Sequence, residues 1–312
     1  VPALFIVNPA ARGGRGARAV SQIEAVLASV GARAEVVRTD APGSAETLSA
    51  QGLREGFAPI VAVGGDGSVH EVVNGLLRAR LGGAPDAPGA SPPPEFGVVP
   101  TGSGNDFARA ARVPADIGRA VRAILEGPRR SVDAARCGDR AFVNAASVGF
   151  DAEVAGIVAR AGRLLRSTGP LLYPLAVARA VPRYAVRPMR IDVDGTTLER
   201  RALLVAVANG PFYGGGFRIC PEADPGDGWL DVLVLGDLTL LQAIRLLPRL
   251  RAGTHVGDAK VEHFRARAVR VSGVTAPIQL DGEPAGAAPA DFGLMAGALC
   301  LCGGRGPDTA TS

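Results

Sequence analysis

An apolar run at residues 60–63 leads straight into Gly64-Gly65-Asp66-Gly67-Ser68 and then a helical pattern carrying Glu71 and Asn74. Glycines between a buried strand and a helix N-terminus let the backbone approach an anion, present free N–H groups to it and add the positive end of the helix dipole. An acid inside such a turn repels bare phosphate. Asp66 makes sense when a divalent cation lies between it and the phosphate oxygens. The turn therefore implies nucleotide-phosphate chemistry with Mg²⁺.

The surrounding pattern gives this turn a fold. Strands at 3–7, 34–38, 59–63 and 96–100 alternate with helical stretches at 17–30, 44–54, 69–80 and 116–125. Short apolar strands separated by helices form a parallel sheet covered on both faces, and such sheets bind ligands beyond the carboxyl ends of their strands. Polar turns follow the first, third and fourth strands: NPAARGGRG, GGDGS and PTGSGND. From about residue 130 the pattern becomes short strands with frequent turn signals, DVDG (192–195) among them, which reads as a mainly antiparallel sandwich or partial barrel. The expected organisation is an α/β domain at 1–130, a β-sandwich at 131–302 and a disordered tail at 303–312, with a mobile insert at 82–94.

Composition narrows the function classes. Lys260 is the only lysine, so a phosphate clamp here is built from arginine and backbone. With 4% aromatics and a dispersed net charge of +4, nucleic-acid binding has no support. The four cysteines (137, 220, 300, 302) form no CxxC pair and suit a reducing cytosol, Cys300 and Cys302 as buried small residues facing one side of a strand. The chain opens on strand-like VPALFIVN without a charged leader and has no run of 18 apolar residues, which predicts a cytoplasmic protein without a membrane span. Stretches 151–179 and 238–251 are rich in Leu and Arg, a pattern suited to core packing or to an interfacial membrane face.

Two acidic features remain. Asp281-Gly282-Glu283 follows the strand APIQL and sends two carboxylates from one turn, either as catalytic groups or as a plain Asp-Gly hairpin. Asn105-Asp106 sits where a helix cap or a ligand contact belongs. Of the histidines, His70 follows the glycine turn closely enough to approach the site, while His255 and His263 read as ordinary surface or strand residues.

The blocks VNPAARGG, GGDGSVHEVVNGL, PTGSGNDFAR, VGFDAEV, ANGPFYGGGFRICPEADPGDGWLDV and LDGEP, in this order, resemble the bacterial diacylglycerol kinase-like lipid kinases, a family that includes sphingosine and ceramide kinases. The GGDGSVHEVVNGL block is shared with NAD kinases; PTGSGNDFAR and LDGEP are more specific. The resemblance implies an ATP-binding α/β domain and a β-sandwich domain, with ATP, Mg²⁺ and a lipid headgroup meeting between them. It assigns nucleotide contacts to Asn8, to the turn Ala10, Ala11, Arg12, Gly13, Gly14, and to Thr39. Phosphate binding falls to Gly64, Gly65, Gly67, Ser68 and Glu71, with Ser103, Asn105 and Asp106 completing the pocket. Ser103 stands where the family usually has threonine. Arg12 or Arg15 replaces the usual lysine of the first turn. Asp66 lies near the catalytic Mg²⁺, Glu283 is the expected base, and Asp281 organises hydroxyl and metal. Asp224, Asp227 and Trp229 correspond to a structural Mg²⁺ loop, here interrupted by Pro225-Gly226, and the same residues also read as a turn before a strand. The activity implied is phosphoryl transfer from ATP to a lipid hydroxyl at the inner membrane face, with diacylglycerol as default acceptor. A sphingosine- or ceramide-type acceptor and an NAD kinase-like reaction are the alternatives, a catalytically silent binding protein is disfavoured by the intact acids, and a homodimer is left open.

Overall fold

The computed structural model describes residues 1–11, 14–82, 92–160, 179–180 and 185–304, with side chains of 158–160 excepted. Residues 83–91 of the expected mobile insert at 82–94 and most of the expected tail fall outside these residues. So do most of the second half of the 151–179 stretch and the turn residues Arg12 and Gly13.

Four strands, β1 (Ala3–Val7), β2 (Ala34–Arg38), β3 (Ile60–Gly64) and β4 (Glu95–Pro100), pair in parallel in the order β2-β1-β3-β4. β1 and β3 are buried along their whole length, which is why they read as unbroken apolar runs rather than alternating ones. Helices α1 (Arg15–Val30) and α5 (Ile117–Glu126) pack on each other, as do α2 (Ser44–Arg54) and α3 (Asp66–Leu81). A short helix, α4 (Asp106–Ala110), follows β4. Strand order reverses at β1, so the crevice beyond the carboxyl ends of β1 and β3 is the natural ligand position.

The remaining strands are β5 (Arg129–Cys137), β6 (Arg140–Phe142), β7 (Ala145–Gly149), β8 (Arg187–Val193), β9 (Thr196–Ala202), β10 (Leu204–Ala208), β11 (Leu230–Leu235), β12 (Val261–Ala266), β13 (Ala268–Ser272), β14 (Pro277–Leu280), β15 (Glu283–Ala287) and β16 (Ala290–Cys302). Helix α6 (Phe150–Arg160) follows β7, and α7 (Leu240–Ala252) joins β11 to β12. An antiparallel sheet, β12-β11-β10-β7-β14-β15, packs through Val205, Val207, Val232 and Ile278 against Met189, Ile191, Val271 and Phe292 of the other sheet. The alternating residues of the same strands, Leu204, Ala206 and Leu233, face a second core closed by Leu246 and Leu250 of α7. Both sheet faces are therefore buried with period 2. Asp194-Gly195, at φ 47° and 85°, makes the expected β8–β9 hairpin.

The last strand joins the two halves. β16 pairs antiparallel with β13 in the sandwich, then runs beside β4 in parallel, Cys300 opposite Glu95 and Leu301 opposite Phe96. Its end, Leu299 to Cys302, is packed in the α/β core. Cys302 is buried and Cys300 half-buried, on the side opposite Leu299 and Leu301.

Candidate active site

Helix α3 starts at Asp66 itself, three residues before the expected boundary. Gly65 occupies the N-cap in an extended conformation, so Asp66, Gly67 and Ser68 form the first helical turn. The glycine-rich block is thus largely a helix N-terminus, the strongest backbone anion seat available. A side chain at Gly102 would sit 2.3 Å from the Cα of Gly65, which brings the turns after β3 and β4 into backbone contact. Asn8 ties in the first turn: its Nδ2 donates to Ser68 Oγ at 3.2 Å, and its Oδ1 accepts from the Ala10 amide at 3.0 Å. A Cβ at Gly16 would fall 1.8 Å from the Asn8 carbonyl oxygen, so α1 approaches this turn only through glycine. Ala10 and Ser103 are exposed, Ala11, Gly14 and Thr39 half-buried, and Gly64 is buried under Ser68. Thr39 lies just past β2, its amide donating to the Val7 carbonyl.

Two predicted contacts take other roles. The carboxylate of Glu71 faces away from the glycine turn and accepts the Ala45 amide at the start of α2 at 3.1 Å. Its side chain caps a helix, where an acid is stabilising, rather than meeting a phosphate that it would repel. Asn105 is the residue before α4 at φ 54°; its side chain closes the loop on itself, accepting from Gly102 N and donating to Gly102 O.

Asp66 and Asp106 form an acidic pair in the floor of the site. Asp66 Oδ1 accepts the Phe107 amide at 3.2 Å. Burial first, and then the neighbouring Asp106, push the Asp66 carboxyl up to about 6. Asp106 is also raised by burial, against the pull of the Gly215 amide and Arg109. The Gly215 amide donates to Asp106 Oδ2 at 2.8 Å, and Arg109 bridges Asp106 Oδ1 and the Gly104 carbonyl at 2.8 and 2.9 Å. Two crowded carboxylates in a water-poor floor, each disfavoured as an anion, are a donor set that suits a hard divalent cation. The acidic pair also sets a pH dependence. Because the Asp66 carboxyl is raised from 3.8 to about 6 by folding, its contribution to stability is complete below about pH 4 and is lost as pH rises through 6. The melting temperature of the ligand-free protein is therefore expected to carry a falling component over that window, smaller in Asp66→Asn. Equal slopes in the two proteins, followed by scanning fluorimetry, would contradict this assignment.

The Asp281-Gly282 pair, at φ 51° and 91°, forms the hairpin turn between β14 and β15 and is at the same time part of the site. Asp281 is buried as a side chain and fully engaged. Its Oδ1 accepts the Asn144 and Ala145 amides at 2.9 and 3.1 Å, and its Oδ2 accepts the Val143 amide at 3.0 Å and contacts His70 Nδ1 at 3.1 Å. Arg140, a donor only, contacts His70 Nε2 at 3.1 Å, so that nitrogen accepts and Nδ1–H donates to Asp281. With every strong contact spoken for, Asp281 anchors the hairpin rather than reaching a ligand. His70, one helical turn beyond Asp66, is the residue that sequence reading left without a role; its spacing on α3 was the available signal. Glu283, two residues past Asp281, projects its carboxylate toward the glycine turn: a Cβ on Gly67 would lie 3.6 Å from Glu283 Oε1.

The 224–229 loop does not gather its acids. Asp224 is paired with Arg130 and Asp227 with Arg265, and the Asp224 carbonyl accepts the amides of Gly226 and Asp227. The Trp229 amide donates to Asp227 Oδ1 at 3.0 Å, and its ring lies under Arg265 and Arg267. Arginines from two other strands compensate the loop's charge, and among the described residues no cluster of three or more His, Cys, Asp or Glu side chains is poised for a metal. His255, expected as a surface or strand residue, is instead fully buried outside any strand against the Ile219 carbonyl, while His263 lies on β12 as expected and pairs with Asp231 Oδ1 at 2.6 Å.

Residues 2–137 match the diacylglycerol kinase catalytic domain, and residues 144–303 match the YegS C-terminal NAD kinase beta sandwich-like domain. The chain belongs to the diacylglycerol kinase-like family. It is a kinase. A diacylglycerol kinase of Staphylococcus carnosus (strain TM300) is 28% identical over 93% of this chain and 91% of its own length. One from Staphylococcus aureus (strain MRSA252) is 28% identical over 93% and 88%. A solved diacylglycerol kinase structure from Bacillus anthracis str. Sterne shares the fold at TM-score 0.72 and 22% identity, covering 96% of each chain. Another chain from that organism reaches 0.77 at 25% identity, again with 96% of each covered.

Proposed function

We propose that this kinase transfers the γ-phosphoryl group of ATP to a lipid hydroxyl, with diacylglycerol as acceptor and phosphatidic acid as product. The observation that carries the reading is the approach of Glu283, from the second domain's Asp-Gly-Glu hairpin, to Gly67 in the first turn of α3. A group able to take a proton thus faces a backbone seat for phosphate across the domain junction. In the reaction, the acceptor oxygen forms a bond to the γ-phosphorus, the bond to the β-phosphate oxygen breaks, ADP leaves and the hydroxyl proton passes to Glu283. The first turn of α3 holds the phosphates. Asn8, Ser103 and the Ala10–Ala11 turn line the nucleotide side. Asp66, with Asp106 beside it, would hold Mg²⁺, which supplies charge neutralisation at the transferring phosphate. Asp281 and His70 keep Glu283 in register.

The test is incubation with [γ-³²P]ATP and Mg²⁺ against diacylglycerol, monoacylglycerol, sphingosine, ceramide and NAD. Labelled phosphatidic acid is the expected product. Labelling of another lipid alone would move the acceptor class; labelled NADP alone, or no labelled product, would overturn lipid phosphorylation. The reaction is placed at the inner membrane face by its acceptor, and no helix among the described residues is long and apolar enough to cross a membrane.

A further inference from the structure

Helix α7 is built with two apolar faces, although a helix on the outside of a sheet needs only one. Leu246 and Leu250 are buried in the core behind the antiparallel sheet. Leu241, Ile244 and Leu247, spaced three apart on the other side, are 56%, 51% and 37% exposed, and Val256, just past the helix, is 46% exposed. Apart from Val1, these are all of the large exposed apolar side chains among the described residues. Scattered exposed leucines need no explanation, but a cluster confined to one short segment does. The same segment is cationic: Arg245, Arg249 and Arg251 are exposed, residues 238–257 include no Asp or Glu, and of the three Arg249 pairs with Asp258 just beyond.

The segment is held rigidly and connects to the site. Thr239 and Gln242 form a capping box at the start of α7. At its other end His255 is buried against the Ile219 carbonyl, and the Arg218 amide donates to the Leu250 carbonyl at 3.0 Å. Arg251 lies 5.8 Å over the Phe217 ring. Phe217 pairs with Tyr213 across a glycine loop whose Gly215 amide donates to Asp106. The exposed apolar face is therefore linked by one short loop to the acidic pair in the active-site floor.

We infer that the outer face of α7 docks on an anionic lipid bilayer, with Leu241, Ile244, Leu247 and Val256 entering the headgroup–acyl boundary and Arg245 meeting lipid phosphates. The inference rests on the lipid-kinase reading for its purpose but not for its test. Charge complementarity selects the occupant. A row of leucines beside Arg245 and Arg251, with Arg249 paired to Asp258, suits an anionic interface, whereas a second copy of the same face would set arginine against arginine.

The experiment is co-sedimentation of the full chain with phosphatidylglycerol and phosphatidylcholine vesicles, alongside melting and sedimentation velocity. Wild type is expected to bind phosphatidylglycerol vesicles and to bind phosphatidylcholine weakly. The triple variant Leu241→Ser, Ile244→Ser, Leu247→Ser should lose about tenfold or more in partitioning, as expected for removal of buried apolar area at an interface, with its melting temperature unchanged. Arg245→Glu, which leaves the apolar row intact, should lose the preference for phosphatidylglycerol. Equal partitioning of wild type and triple variant would overturn the proposal, as would a vesicle-independent dimer that the triple variant dissolves. Vesicle binding needs no turnover. Failure of the labelling assay with intact vesicle binding would thus count against the acceptor, and the reverse result against α7.

Discussion

Glu283→Gln is expected to lower kcat by about 10²-fold or more, the range a positioned general base supplies, with little change in the KM for ATP. Glu283 is exposed at the first position of β15, and its carboxylate has no hydrogen bond or ion pair among the described residues. Replacing it removes a proton acceptor without breaking a structural contact, so the melting temperature should hold. Asp66→Asn should fall in rate by the same order for another reason, the loss of a metal contact, and should raise the Mg²⁺ requirement as well. Steady-state kinetics at saturating ATP, with Mg²⁺ titrated for both variants, separates the two roles. A Glu283→Gln enzyme within about threefold of wild type would remove this residue as base, since even a modest general-base contribution exceeds that.

How far the sequence anticipates this site depends on the range of each interaction. Alternating strands and helices in the first half are legible because fully buried parallel strands leave continuous apolar runs, as in residues 60–63. The hairpins at Asp194-Gly195 and Asp281-Gly282 are equally local, since both residues of each turn need positive φ. Helix α3 begins earlier than its pattern indicates, because glycine is a poor helix former and a run of glycines reads as a loop. At Gly67 itself a Cβ would meet only Glu283 Oε1, at an ordinary contact distance of 3.6 Å. Partners far apart in the chain leave no such trace. Nothing near Glu71 announces the Ala45 amide, and nothing near Asp224 or Asp227 announces Arg130 and Arg265, which arrive from separate strands. The division into domains is blurred for the same reason, because β16 begins in the sandwich and ends against β4.

Asp281→Ala should be the most destabilising single change at the site. Its carboxylate accepts three consecutive backbone amides, from Val143, Asn144 and Ala145, together with His70. Truncation strands buried donors, each costing about 1–3 kcal/mol when left unsatisfied, and leaves His70 facing Arg140 without its acid. Summed over the stranded amides and the His70 N–H, the cost is on the order of 3–5 kcal/mol, a large share of the 5–15 kcal/mol that holds a typical protein together. The melting temperature should drop by roughly 10 °C at about 2–4 °C per kcal/mol. His70→Ala should cost less, because the three amides still satisfy Asp281, and the double variant should fall short of the sum of the singles. If Asp281 instead served only as a ligand-facing group, its removal would leave the melting temperature near wild type and cut activity alone. Scanning fluorimetry on the two single variants and the double therefore distinguishes an anchor from a reactant. The anchor reading also requires that Asp281→Ala lose activity through Glu283: the hairpin that carries the base is fixed to α3, and so to the phosphate seat, through the Asp281–His70 contact.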